Sequence, residues 1–532
     1  VAAEDVLSGE YERFGSSHAQ FGDSLRLPVP GFAGSGMCFT VRRKDIHCSP
    51  HVRSPAHRAG LFQATVRALT RPCRGGTSMD LLIENGLVLD EVGAFEATLG
   101  IRRGRIAGIF APKTRVEAKQ TIDASGKLVL PGIIDVHVHM QLPVSGTVSA
   151  DDFTSGSIAA AFGGVTTMID FAMQAPGGSL LEAVDKRRAL ADTKVAIDYG
   201  LHCAITDWNE KTRREMRKVV KAGITSFKLF MAYEDRGWMA DDGTLFECFE
   251  EGASLGAVVG VHAENPRIIK TFTENVLTSS RRGAILHALS RPNFSESEAV
   301  ERAIYLASLS DAKVYIFHVT TREACQIIEE WRGQGYAVGA ETCPQFLVLT
   351  NKIYRRRNGH LFATCPPVRT EDDNTYLWQA LEKGTIQVVS TDHCSFTRKQ
   401  KQRWRGDFRR IPCGIPGVET LLPLVFTEGL AAGRISSTTL IEALCSNPAK
   451  MFGLYPRKGA IRVGSDADLI IIDPGCETKV SARNLHMKSD YSPYEGARLR
   501  GFPEITILRG KMIQMRGEFL GKKGDGMFLK RA

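Results

Sequence analysis

His137 and His139 stand two residues apart in Val136-His137-Val138-His139, so on an extended strand both imidazoles leave one face and can bind a single ion. Four further residues of metal-binding or proton-transferring type, Lys228, His262, His318 and Asp392, each come where a short apolar run ends. Imidazoles with a carboxylate oxygen suit borderline divalent ions, zinc being the default. A single histidine at a strand end is more often a hydrogen-bonded core residue; the set points to metal. Four imidazoles and one carboxylate are too few ligands for two zinc ions, and a lysine is an odd neighbour for cations. A lysine desolvated in an apolar strand has a lowered pKa, and its neutral amine can add carbon dioxide. The carbamate of Lys228 (N6-carboxylysine) is an anion with two oxygens, able to bridge two ions and remove the charge conflict.

Two divalent ions about 3.5–4 Å apart share a hydroxide that is nucleophilic at neutral pH. Asp392 then has two compatible tasks, binding one ion through one oxygen and passing the attacking hydroxide's proton to a departing nitrogen. Tyr233, five residues beyond Lys228 in Lys228-Leu-Phe-Met-Ala-Tyr233, falls just past the same strand end, where a phenol can donate to a developing oxyanion. Taken alone, Tyr233 reads as a packing aromatic.

The runs that must position these residues are short, apolar, β-branched and bounded by Gly, Pro or polar clusters. Lys127–Val136 leads into His137 and His139, Ile224–Phe227 into Lys228, Ala257–Val261 into His262, Lys313–Phe317 into His318, and Thr385–Ser390 into Thr391 and Asp392. Gly164–Phe171, Val195–Leu201 and Tyr336–Ala340 are of the same kind without a ligand type, making eight. Helical stretches such as Leu180–Ala191, Glu210–Ala222, Glu296–Ser308, Arg322–Gln334 and Thr375–Lys383 alternate with them. The pattern predicts an α/β fold, a (β/α)8 TIM barrel with its catalytic groups at the C-terminal strand ends. A doubly wound open sheet would gather its ligands at one switch point instead.

A chain of 532 residues is too long for one ordinary barrel. Asp80–Asn85, Gly86–Asp90, Thr98–Ile101 and Arg105–Phe110 before the barrel, and Gly459–Val463, Asp468–Asp473 and Ile505–Arg509 after it, read as antiparallel strands. They predict one β-sandwich built from both ends of the chain. The expected divisions are a disordered extension over 1–78, with Met79 as the natural start, sandwich strands over 79–131, the metal-dependent barrel over 132–450, and further sandwich plus a tail over 451–532. From Gly510 the tail is expected to stay loose or to pack on a neighbouring subunit.

The net charge of +9 raises the question of a nucleic-acid partner, but residues 1–78 hold ten Lys/Arg against six Asp/Glu and so carry +4 of it. The remaining +5 is spread thinly over a long chain, which argues against nucleic acid. The basic stretch Arg398–Arg410 reads as a solvated loop. No apolar run approaches the roughly 20 residues needed to cross a bilayer. Twelve cysteines without a C-x-x-C pair fit reduced thiols and a cytoplasmic protein.

With these positions placed, the chain resembles the dihydropyrimidinase and hydantoinase family of the amidohydrolase superfamily. The matching segments are Pro131-Gly132-Ile133-Ile134-Asp135-Val136-His137-Val138-His139, Ser226-Phe227-Lys228-Leu229-Phe230-Met231-Ala232-Tyr233, Val261-His262-Ala263-Glu264-Asn265, Gly339-Ala340-Glu341-Thr342-Cys343-Pro344-Gln345 and Ser390-Thr391-Asp392-His393-Cys394. Ile411-Pro412-Cys413-Gly414-Ile415-Pro416-Gly417-Val418-Glu419, Asn447-Pro448-Ala449-Lys450 and Gly464-Ser465-Asp466-Ala467-Asp468-Leu469 continue it. The resemblance implies two zinc ions bridged by carboxylated Lys228, Tyr233 as oxyanion donor and Asp392 as ligand and general base. It also implies a homotetramer that opens 5,6-dihydropyrimidines or 5-substituted hydantoins to N-carbamoyl amino acids.

Two departures stand out. Cys365, in Thr364-Cys365-Pro366-Pro367, replaces the family's common Ser, and Cys413 takes a place often held by Asn. Both positions are expected to contact the ring largely through the backbone, which leaves ring preference open. Allantoinase and dihydroorotase share such a metal site and stand as alternatives. A non-catalytic scaffold like the collapsin response mediators is disfavoured, because every ligand type is present.

Overall fold

The computed structural model describes residues 78–531, so all but the last residue of the extension expected over 1–78 lies outside the described residues. Eight strands pair in parallel in chain order: Ile133–Val138, Val165–Met173, Asp198–Ala204, Ser226–Phe230, Val258–His262, Lys313–Ile316, Val338–Thr342 and Val388–Val389. A parallel bridge between Val138 and His393, with the His139 N–H donating to the His393 carbonyl at 2.8 Å, joins the last strand to the first. The result is the expected closed barrel.

Helices Phe153–Phe162, Leu180–Ala191, Glu210–Lys221, Asp242–Ser254, Asn293–Ser308, Arg322–Gly333 and Glu371–Lys383 fill the crossovers. Ser179, Asn209, Asp241, Thr321 and Thr370 cap five of them, each side chain accepting from a first-turn N–H, an interaction worth about 1 kcal/mol. Because helices cover the outer face and side chains fill the interior, strands such as Ile133–Val138 and Asp198–Ala204 are buried along their whole length.

The structure corrects several boundaries. Lys127–Val136 is two strands, Leu128–Pro131 in the flanking sheet and Ile133–Val138 in the barrel, parted at Gly132. A side chain at Gly132 has no room, since a Cβ there falls 2.1 Å from Thr166 Oγ1. The third barrel strand begins at Asp198 rather than Val195, and the eighth keeps only Val388–Val389 of Thr385–Ser390. Lys228 sits in the middle of its strand, because pairing with the next strand continues to Phe230 and His262.

Both ends of the described chain build one nine-stranded sheet, as expected. Leu128–Pro131 runs parallel to Met79–Asp90 and antiparallel to Leu469–Ile472, which continues through Pro503–Leu508 and Lys511–Met515. Asp80–Asn85 and Gly86–Asp90 are halves of one strand whose register shifts between Ile83 and Gly86. The first half pairs with Ala118–Asp123 and the second with Leu128–Pro131, so the sheet can wrap a core that includes Leu81, Ile83, Leu99, Ile106, Ile471 and Ile507. Gly459–Val463 forms no strand; Ile461 joins that core from a loop instead.

The tail is neither loose nor free of its own barrel. Tyr199 N–H donates to the Met527 carbonyl at 2.9 Å, Leu529 N–H to Tyr199 at 2.7 Å, and Arg531 N–H to Gly223 at 2.9 Å. This close approach requires Gly526, where a Cβ would lie 1.8 Å from the Ile197 carbonyl oxygen. Leu529 is fully buried and joins Phe452 and Val388 in one apolar cluster. The apolar cost of leaving such residues in water explains why a Gly- and Lys-rich segment docks.

Sandwich and barrel are locked by a buried charge cluster. Lys458 Nζ donates to Asp198 Oδ2 and Asp468 Oδ2, both at 2.6 Å, and lies 3.2 Å from Asp466. Lys458→Met leaves these carboxylates without their shared cation, so it should cost about 3–5 kcal/mol. A urea unfolding midpoint reads this directly, and a loss below about 1 kcal/mol would show the cluster to be dispensable.

Candidate active site

The ligand-type residues meet inside the barrel. Nε2 of His137 lies 3.2 Å and Nε2 of His139 lies 3.1 Å from Asp392 Oδ1. Lys228 Nζ is 3.0 Å from His137 Nε2. His262 Nδ1 and His318 Nε2 face each other at 2.9 Å, and the His137 and His318 rings stack at 5.5 Å. Only His139 and Asp392 reach solvent appreciably, at 13% and 14% exposure, which marks the open side.

Around a tetrahedral zinc ion with bonds of about 2.0–2.2 Å, neighbouring ligand atoms stand about 3.3–3.5 Å apart. The His137, His139 and Asp392 atoms approach that spacing, and all lie within 4.8 Å of one another. The rings are also aimed. His137 Nδ1 is tied to Glu341 Oε1 at 2.5 Å and His262 Nε2 to Glu264 Oε2 at 2.8 Å, so the opposite nitrogen of each ring turns its lone pair inward. Burial, aided by the Lys228 charge, pushes His137 well below the ordinary histidine value, and burial does the same to His318. Neutral imidazoles are the form a metal binds.

Lys228 is caged by rings, its Nζ 4.3 Å from the Phe317 centroid and 4.5 Å from that of Phe171. Among the described residues no carboxylate pairs with it. Burial pushes its amine down to about 8, against the pull of Asp392 and Glu341. Tyr233 stands 4.8 Å, ring to ring, from His262, and burial raises its phenol well above 10, keeping the proton available to donate.

Tyr233, His318 and Asp392 all take left-handed backbone conformations, with φ of 69°, 41° and 49°. Each costs about 1–3 kcal/mol at a non-glycine residue and is held by its surroundings. At Asp392 the restraint is visible. Thr391 N–H and Oγ1–H donate to the two oxygens of buried Asp135 at 3.1 and 2.6 Å, tying the last strand's end to the first strand.

Cys365 and Cys413 come together with His287 beside them. Gly414 N–H donates to the Ala363 carbonyl at 2.9 Å, joining their two loops. Arg291 connects this corner to the centre, its Nη1 2.5 Å from Glu264 Oε2. Burial alone would raise the Glu264 carboxyl, but Arg291 and His262 hold it well below the usual carboxylate range. The arginines of the basic stretch Arg398–Arg410 are exposed as expected, but the stretch is not a plain loop: it forms a short helix, Arg398–Lys401, and buries Phe408 and Lys401. The Lys401 side chain is fully buried, with Nζ 3.3 Å from the Ala363 carbonyl, and props the Cys365 loop rather than meeting solvent.

Several supporting residues carry no role in the sequence reading. Asp135 shares a strand face with His137 and His139 by the same two-residue alternation, a usable signal. Glu264 and Glu341 lie inside matched segments; Glu264 is two residues from His262, which it serves, whereas Glu341 reaches His137 across the barrel from 204 residues away. Arg291 offers no sequence signal, since its contact with Glu264 depends on how the loop around it folds. His202 is a core histidine, bonded to Ser226 Oγ at 2.6 Å and the Val136 carbonyl at 2.9 Å.

Residues 128–513 match the model of the amidohydrolase family. The chain is 42% identical over 458 residues to a D-hydantoinase of Geobacillus stearothermophilus, covering 85% of this chain and 97% of that one. It is 42% identical over 459 residues to a D-hydantoinase of Ralstonia pickettii, covering 85% and 99%. The crystal structure of dihydropyrimidinase from Brevibacillus agri superposes with a TM-score of 0.83 at 38% identity, again over 85% of this chain and 99% of that one. Fold, converging ligand atoms and similarity along the barrel and its flanking sheet agree: the chain belongs to the amidohydrolase family, in its hydantoinase and dihydropyrimidinase branch.

Proposed function

We propose that this protein opens the cyclic amide bond of 5,6-dihydropyrimidines or 5-substituted hydantoins to give N-carbamoyl amino acids. It is a cyclic amidohydrolase. The observation that carries the reading is Lys228, a buried lysine without a carboxylate partner among the described residues, 3.0 Å from a neutral imidazole of the ligand set. An amine held at about 8 is neutral often enough near physiological pH to react with carbon dioxide. The carbamate would then supply the anion the cluster lacks, with His137, His139 and Asp392 suited to hold one ion and His262 and His318 the other.

Two zinc ions, when bound, supply a hydroxide-level nucleophile and polarise the ring carbonyl. The chain's own residues do the rest. Asp392, at the solvent-facing edge, takes the attacking water's proton and delivers it to the ring nitrogen as the C–N bond breaks. Tyr233 donates its hydroxyl proton in a hydrogen bond to the carbonyl oxygen as negative charge develops there. The loops of Cys365 and Cys413 receive the ring through their backbone. Arg291 is paired through Nη1 with Glu264, whose charge offsets the attraction it would offer a ring bearing a carboxylate, which disfavours a dihydroorotase role.

The same reading places the protein in the cytoplasm as a homotetramer, divided at 79–131, 132–450 and 451–532. The nine described cysteines are all unpaired, in keeping with a reducing compartment. No described helix is long and apolar enough to cross a membrane.

The test is ring opening of dihydrouracil, a 5-substituted hydantoin, allantoin and dihydroorotate by zinc-loaded protein. Turnover of the first two is expected; turnover of only the last two would move the assignment. On the preferred ring, Tyr233→Phe should lower kcat by about 10²–10³-fold with a smaller change in KM. A Tyr233 that only packs against His262 would leave kcat nearly unchanged.

A further inference from the structure

The corner that holds Cys365 and Cys413 has the makings of a second kind of metal site. One ligand atom from each of Cys365, Cys413 and His287 lies within 4.8 Å of the others. His287 Nε2 is 2.8 Å from the Thr364 carbonyl, and a carbonyl only accepts, so the ring's proton is on Nε2 and its lone pair on Nδ1. Anchoring one ring nitrogen on a backbone carbonyl while offering the other is how metal-binding histidines are oriented. Both loops are fixed, Cys413 by its neighbour Gly414 and Cys365 by the Ala363 carbonyl that Lys401 also holds.

We propose that Cys365, Cys413 and His287 form a third ion site, taking soft or borderline d10 cations of the Cd²⁺, Zn²⁺ and Cu⁺ class. Two thiolates and an imidazole match that class and leave one tetrahedral position open. Each thiol gives up its proton to solvent as its sulfur–metal bond forms, so binding releases two protons without any redox step. Arg291 favours this. A hydrogen bond with Cys413, against burial and with the help of the Arg291 charge, holds Cys365 well below the ordinary thiol value, while that same hydrogen bond and burial hold Cys413 well above it, so the Cys413 proton leaves only as its sulfur–metal bond forms. Resting on the reading that these loops receive the ring, an ion here obstructs the substrate and acts as a competitive inhibitor, while the zinc centre holds no sulfur and stays intact.

The probe is Cd²⁺, titrated into the zinc-loaded full chain with Cys38, Cys48, Cys73 and Cys476 replaced by serine. One equivalent should raise a near-ultraviolet thiolate-to-cadmium charge-transfer band, which reports sulfur ligands alone and ignores exchange at the zinc centre. The band should vanish in Cys365→Ser and in Cys413→Ser and bind more weakly in His287→Asn; a far-ultraviolet spectrum checks that each has folded, and any one folded variant suffices. At ten times its dissociation constant the ion should raise KM about tenfold with kcat unchanged. Absence of the band overturns the site, as does a band that persists in the cysteine variants. Thiols that become reactive only after reduction would replace it with a Cys365–Cys413 disulfide. A band without a KM change retains the ion site but overturns the inhibition and the ring-binding role of these loops, leaving the ring-opening assignment untouched.

Discussion

Lys228→Ala should lower kcat for ring opening by at least about 10³-fold, since loss of a single stabilising donor already costs about 10²–10³. Removing the lysine takes away the anion expected to hold both ions, so metal content should fall with activity. The fold should survive. Lys228 makes no ion pair with a carboxylate among the described residues, and its ammonium form is disfavoured by burial among Phe171, Phe230 and Phe317. Deleting it therefore removes a charged group that the protein holds at a cost, while leaving a small cavity. Acetate or propionate, small enough to enter that cavity, should restore part of the activity by replacing the carbamate. Full activity in Lys228→Ala without added acid would contradict the bridging role, and an inactive variant with undiminished metal and no rescue would relocate it.

Asp392→Asn should be almost as severe, with kcat falling about 10³–10⁴-fold through loss of the proton carrier. Asparagine is the informative replacement, because it tolerates the left-handed backbone at φ 49° and so preserves the strand end held by Thr391 and Asp135. The four imidazoles and Lys228 remain. Measuring metal alongside kcat separates the two tasks given to Asp392: retained metal with lost turnover assigns the proton transfer, and metal lost in parallel assigns ligation. Retained turnover would remove Asp392 from the reaction.

Those residues were legible because chemistry and strand geometry coincide at them. His137 and His139 announce themselves by a two-residue spacing, and eight apolar runs alternating with capped helices leave few folds other than a barrel. What escaped was set by contacts across the chain. The break at Gly132 depends on Thr166 pressing against it, and the buried state of Lys401 depends on the Ala363 carbonyl above it. The tail's docking rests on Leu529 and on carbonyls of the third barrel strand, neither of which alters its Gly- and Lys-rich composition. The joint between sandwich and barrel turns on Lys458, which in sequence is one basic residue among many. Cys365 and Cys413 stand out in the sequence as departures, but their pairing with His287 depends on how two loops and the short helix Ile285–Leu289 are placed.

Crystallography of the zinc-loaded protein with data at the zinc edge tests the central claim most directly. Two anomalous peaks about 3.5–4 Å apart are expected, one beside His137, His139 and Asp392 and one beside His262 and His318, with density continuing past Lys228 Nζ to touch both. A single peak, or Lys228 ending in a free amine beside two ions, would contradict the bridged centre on which the proposed hydrolysis depends.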